Sequence, residues 1–225
     1  MSRSPFDPNF DELPTTLPIF PLTGALLLPH GRLPLNIFEP RYLAMTRDAL
    51  AGARLIGMVQ PLEGRGDAGE PPVYSVGCAG RIVSFSETED GRYLITLAGI
   101  LRFAIDEEPP RRQLYRSVRP EWEKFRGDLA VDAEAALSPA FDRPRLMSVL
   151  KPYFQRHGMS VDWEAIGAIP DTRLIATIAM VSPLAPSEKQ ALLEAATDAA
   201  RAQLLTALIE MAILGGDTPT ARAPH

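Results

Sequence analysis

The 225-residue chain holds one cysteine, Cys78, and three histidines, His30, His157 and His225. A lone cysteine excludes an internal disulfide, and so few thiols and imidazoles leave no zinc-ligand spacing, so neither a metal nor a cofactor is expected. No apolar run reaches the roughly 18 residues a membrane helix needs, and the opening MSRSPFDPNFDELP lacks the apolar core of a secretory leader. A cytoplasmic protein with no membrane partner is expected. Lysine is scarce as well: only Lys124, Lys151 and Lys189 occur, and none follows the glycine loop of a GxxxxGK[ST] phosphate cradle. GxSxG is also absent. The glycines of residues 64–72 do not follow the dinucleotide pattern, no helix signal follows them, and the segment reads as a loop. No self-similarity at the roughly 34-residue period of helical repeats is visible. These absences exclude the commonest routes to nucleotide and ester chemistry, and no catalytic residue is expected. Carboxylate pairs such as Glu107-Glu108 sit beside Pro109 at an expected strand end and read as solvated turn residues.

Positive charge is not in excess. The chain carries 23 Arg+Lys against 28 Asp+Glu, a net charge of −5. Residues 17–127 hold 14 against 13, while residues 128–225 hold 8 against 12. A nucleic-acid partner is therefore not expected from charge. One segment alone interleaves arginine with aromatic residues as a stacking platform would, from Arg111 through Tyr115, Arg116, Arg119 and Trp122 to Arg126. Asp106, Glu107, Glu108, Glu121, Glu123 and Asp128 surround it and cancel much of its field.

What the chain has in abundance is patterned hydrophobicity, 46% of residues with 23% charged, which suits a soluble globular fold with a sizeable core. Residues 17–50 organise it. Leu33, Leu35 and Ile37 recur at period two, then Tyr42, Met45 and Ala49 at helical spacing. Pro40 suits the first helical turn, and Glu39 before it places a carboxylate at the positive end of the helix dipole. Residues 55–60, 76–86, 92–97, 101–105 and 113–119 read as further strands. The Asp90-Gly91 pair marks a hairpin, and Gly99 a bulge or bend. Cys78 falls inside a strand, where a buried, inert thiol is expected. From residue 128 the pattern turns helical. Leu146, Leu150, Tyr153 and Phe154 share a face that Pro152 should kink or interrupt. Asp162, Asp171 and Thr197 or Asp198 read as helix caps, Ser187 with Gln190 as a capping box, and Gly215-Gly216 as a stop.

The runs PIFPL and PLNIFEPRY within residues 18–42, VGCAGRI at 76–82, DGRYLITLAGILRF at 90–103 and SEKQALLEAATDAARAQLL at 187–205 resemble, in order, the LON substrate-binding domain, the N-terminal module of Lon-type ATP-dependent proteases. The likeness spans residues 15 to 214. It implies an α+β fold, a PUA-like mixed β pseudobarrel with one helix over residues 15–127, followed by an α-helical bundle over 128–216. Residues 1–14 and 217–225 read as flexible tails. The motor and the serine–lysine protease of a complete Lon enzyme are not expected in a chain of this length.

The resemblance implies a non-catalytic protein that binds unfolded or partner polypeptide, an adaptor or recognition module in protein quality control. The alternative is a PUA-like RNA-binding protein using residues 111–126. Phe38 and Tyr42, one helical turn apart, are candidates for an apolar landing site, and Trp122 and Tyr153 are further candidates. Each of these aromatics also suits core packing. Glu39, Pro40 and Arg41 form the structural motif between strand and helix, with Glu39 and Arg41 read either as a recognition pair or as a local ion pair.

Overall fold

The computed structural model describes residues 6–62, 71–129 and 141–215. Six strands come first, interrupted by one helix: β1 (Leu17–Pro21), β2 (Arg32–Ile37), α1 (Pro40–Ala51), β3 (Leu55–Val59), β4 (Val76–Glu87), β5 (Tyr93–Glu107) and β6 (Ser117–Glu121). Five helices follow: α2 (Arg143–Arg156), α3 (Trp163–Ala168), α4 (Asp171–Val181), α5 (Pro186–Glu194) and α6 (Asp198–Leu214). This is the expected α+β arrangement. The loop of residues 64–72 and the connector of 127–139 fall largely outside the described residues, as does the segment 217–225.

The strands run in the order β2-β5-β4-β3-β1-β6, and β6 pairs again with β5, which closes the sheet on itself. The closure works because β5 is 15 residues long. One edge of β5 pairs with β4 along its length, while the other serves β2 at Tyr93 to Ala98 and β6 at Ala104 to Glu107. Within the ring, β1 and β3 are parallel and all other neighbours antiparallel.

A bulge lets β5 serve two cores. Ala79 faces Leu101 but the next residue, Gly80, faces Gly99, so Ile100 is the extra residue. One inserted residue reverses which side chains point to which face. Tyr93, Ile95 and Leu97 accordingly pack into the larger core outside the barrel, and Leu101 and Phe103 into the barrel interior with Leu17, Ile19 and Val118. Gly99 sits where the expected bend does, for a reason of space: a Cβ there would lie 2.0 Å from the Leu28 carbonyl oxygen. Its N–H donates to Gly31 and its carbonyl accepts from His30, which hold the loop before β2 in place. In the β4–β5 turn only Gly91 takes a positive φ, +78°, and Asp90 does not.

β3 is buried on both faces, which is why 55–59 reads as a continuous apolar run. Ile56 and Met58 face outward and share the larger core with α1 and the C-terminal helices. There Gln190 of α5 donates to the carbonyl of Val76 at 3.1 Å, and Gln60 donates to that of Pro186 at 3.0 Å. Arg102, on the outward face of β5 and 5% exposed, makes a bidentate pair with Asp128 at 2.9 and 2.7 Å. The same guanidinium donates to the carbonyls of Leu193 and Ala195 at the end of α5 and stacks on Phe125. Cys78 is fully buried, and burial pushes its thiol well above the usual range, as expected of an inert core residue.

Several boundaries differ from expectation. The last strand begins at Ser117, not 113, and Leu114 is left 66% exposed. Asp162 and Thr197 cap α3 and α6 as expected. Asp171 is instead the first residue of α4, held by an ion pair with Arg143. Helix α5 starts at Pro186, so its cap is Ala185 with Glu188 accepting the Ala185 N–H, and Ser187 lies inside the first turn. Pro152 sits inside α2, which continues past it to Arg156.

The stretch 6–14 is not a loose tail. Asp7 pairs with Arg81 at 2.8 Å with both side chains mostly buried, Arg126 stacks on the Phe10 ring at 3.8 Å, and Pro14 accepts the Trp122 indole N–H. Deleting residues 1–12 should therefore lower stability by about 1–2 kcal/mol, or roughly 2–8 °C in melting temperature for a chain this size. An unchanged melting temperature would show that the Asp7 and Phe10 contacts contribute nothing.

Candidate functional site

The β2–α1 turn is built as its composition dictates. Pro40 occupies the first helical position, where a missing N–H costs nothing, and the Glu39 carbonyl accepts the N–H groups of Tyr42 and Leu43 at 2.9 Å. The Glu39 carboxylate pairs with Arg41 at 2.8 Å while both side chains stay about two-fifths exposed, so this contact holds the turn locally and contributes little stability. The Arg41 guanidinium lies 4.6 Å over the Tyr42 ring, which also meets the Phe20 ring with centroids 4.1 Å apart. Tyr42 is buried. Phe38 is 61% exposed, with Arg92 6.0 Å from its ring.

Beside this turn lies a cavity of about 90 Å³ lined by Pro21, Arg41, Tyr42, Pro61, Pro71, Tyr115 and Arg116. It forms because β1 and β3 are parallel: their C-terminal ends, at Pro21 and just before Pro61, finish side by side against the first turn of α1. The segment entering β6 supplies the remaining wall. Tyr115 donates its hydroxyl to Asp48 at 2.7 Å, and burial together with that carboxylate pushes its pKa above the usual tyrosine range. It stays a neutral donor. Arg116 is bidentate to Glu108 at 2.7 and 2.6 Å and donates to the Pro71 carbonyl at 3.0 Å. Three proline rings, which carry no N–H, and two tyrosine rings make the walls predominantly apolar. The space fits a side chain and is too small for a cofactor-sized ligand. Among the described residues that line it, none is a serine, cysteine, histidine or carboxylate. Among the described residues no cluster of histidine, cysteine and carboxylate side chains could hold a metal. Exposed Leu62 and Leu114 adjoin lining residues in the chain.

Of the aromatic candidates, the structure brings Tyr42 to this cavity with Arg41 and leaves Phe38 on the surface four residues earlier. Trp122 is half-buried at the barrel end, edge-on to Phe103, and Tyr153 is 1% exposed in the helical core beside Phe154. Neither shares the cavity. In the arginine-rich segment, Arg116, Arg119 and Arg126 pair with Glu108, Glu107 and Glu123, which leaves little unbalanced positive field. Sequence reasoning did not single out Pro21, Pro61 and Pro71 as site residues, since they meet only in the closed barrel. Tyr115 and Arg116 were visible only as members of a charged, aromatic run.

The profile of the ATP-dependent protease La (LON) substrate-binding domain matches residues 16–211. The chain is similar to Lon protease 2 of Sorangium cellulosum, at 29% identity over 216 residues, which cover 92% of this chain and 26% of that protein. Lon protease of Flavobacterium johnsoniae is 33% identical over 100 residues, 44% of this chain and 12% of that one. The chain thus matches between about an eighth and a quarter of the length of these relatives. In fold it is similar to the crystal structure of a Lon N-terminal domain protein from Xanthomonas campestris, with a TM-score of 0.61, 24% identity, and coverage of 86% of this chain and 98% of that one. The N-terminal domain of a Mycobacterium avium complex Lon protease gives the same TM-score at 19% identity, covering 87% of this chain and 98% of that one.

Proposed function

This chain belongs to the LON substrate-binding domain family, and from that premise we propose that it is a non-catalytic receptor for unfolded polypeptide. The match covers the substrate-binding domain of the family's enzymes and no motor or protease. In this reading it works in the cytoplasm as an adaptor or recognition module in protein quality control. No helix among the described residues is long and apolar enough to cross a membrane.

The observation that carries the reading is the predominantly apolar cavity beside α1, with exposed Phe38, Leu62 and Leu114 near its lining residues in sequence. Exposed large apolar side chains next to a side-chain-sized recess suit a partner that presents hydrophobic residues one at a time, as an unfolded chain does. The arginine-rich segment lends no comparable support to RNA binding, because Arg116, Arg119 and Arg126 are each paired with a carboxylate.

The test is capture of reduced, carboxymethylated lactalbumin, an unfolded model protein, by the purified chain and by two variants. Phe38→Asp and Leu114→Asp change exposed side chains and should leave the melting temperature nearly unchanged. Each should weaken capture about tenfold for every 1.4 kcal/mol of binding free energy that the side chain supplies. Capture that is absent, or that both variants retain at full strength, would overturn this assignment.

A further inference from the structure

The surface beside Phe38 carries a second recognition element, an open strand edge. Strand β2 ends the sheet order and, among the described residues, is paired on one side only, with β5. The Gly31 carbonyl, one residue before β2, accepts the Gly99 N–H, so by alternation Leu33, Leu35 and Ile37 direct their backbone groups toward β5. Arg32, Pro34 and Asn36 direct theirs outward. The free edge therefore offers the N–H and C=O of Arg32 and Asn36, and the C=O of Pro34. The core also stops short here. Ile95 and Leu97 on β5 are buried, but Leu35 and Leu33, directly opposite them, are only half-buried. Arg32 is exposed and makes no ion pair among the described residues.

We propose that this edge takes an extended segment of the client polypeptide as an added antiparallel strand, in a complex that rests on the polypeptide-binding function proposed above. Antiparallel pairing lets Arg32 and Asn36 each exchange both backbone bonds with one client residue, while Pro34 accepts a single bond. Client residues opposite Leu33, Leu35 and Ile37 extend the apolar face and are hydrophobic. An acidic residue opposite Arg32 meets its unpaired charge, and a further apolar residue meets Phe38. The substrate class is thus a strand of alternating apolar residues ending, toward its C-terminus, in a carboxylate. Pro34 also discourages self-association: two copies of β2 paired about Pro34 would bring together two residues that both lack an N–H, whereas a client strand loses one bond.

The probe is a fluorescent acetyl-Phe-Val-Thr-Val-Thr-Val-Glu-amide peptide, read by anisotropy. N-methylation of the second threonine and the glutamate, whose amides turn toward β2 opposite Pro34 and Arg32, should abolish binding. N-methylation of two valines, whose amides turn away, should leave it within about twofold. Arg32→Glu should reverse the preference between this peptide and its lysine-ended counterpart. Equal affinity for the two methylated peptides, or an unchanged charge preference, overturns strand addition. If unfolded lactalbumin is captured and the parent peptide neither binds nor competes, strand addition is overturned while polypeptide binding stands. If neither probe binds, both fall.

Discussion

Asp128→Ala should cost about 3–5 kcal/mol of stability, a large fraction of what a domain of this size has, because it strands a buried positive charge. Arg102 donates three hydrogen bonds to Asp128, two from its guanidinium and one from its backbone N–H. The remaining guanidinium nitrogen is committed to the carbonyls that α5 leaves unpaired at its end. Water cannot replace the missing carboxylate fully at a site this enclosed. The companion double variant, Arg102→Met with Asp128→Leu, should recover most of the stability, since a buried pair exchanged for apolar side chains of similar volume is often close to neutral. Denaturant unfolding of the two variants decides it. A cost under about 1 kcal/mol for Asp128→Ala would mean that the helices are held to the barrel without this pair.

Gly99→Ala is expected to be at least as damaging, above about 3 kcal/mol, and the cause is steric. The new methyl would stand 2.0 Å from a backbone oxygen at Leu28, which no side-chain rotation can relieve. The His30 and Gly31 bonds prevent the loop from moving aside without disturbing the alignment of β2 on β5. Gly127→Ala, where nothing lies within 4 Å of an added Cβ, is the control and should be near neutral. Similar melting temperatures for the two variants would show that the loop before β2 yields freely.

Much of the fold was legible because its signals are local. Period-two alternation located most strands, Pro40 located the start of α1, and Asp162 and Thr197 located two caps. The start of α5 was misjudged because Ser187 and Gln190 fit a capping box, while Pro186 competes for the first helical position and leaves Glu188 to reach back to Ala185. Gln190 is occupied elsewhere, bound to the Val76 carbonyl. The candidate site was less legible. An amphipathic pattern says that Tyr42 and Tyr153 share faces with apolar neighbours, but not whether a face meets solvent or another element, and both proved buried. Its proline walls come from positions 40 to 50 residues apart in the chain, Pro21 at the end of β1 against Pro61 and Pro71 in the connection between β3 and β4, and nothing local links them. The Arg102–Asp128 tie is hidden for the same reason: an arginine alternating with Leu101 and Phe103 looks like the wet side of a strand until helices cover it.

Ring closure has a further consequence for how the chain acquires its shape. Leu17 pairs with Val118 and Pro18 with Ser117, so the first strand waits for a partner about a hundred residues downstream. During synthesis the β4–β5 hairpin can form from neighbours in sequence, but the ring stays open until residues 117–121 have left the ribosome. The outward side chains of β3 wait longer still, for α5 and α6. Closing so long a loop is entropically unfavourable before any contact compensates, which places this protein among slow, topology-limited folders. Until α5 and α6 have been made, Ile56, Met58 and Cys78 stand uncovered, and a protein proposed to receive unfolded chains is, for that interval, one of them.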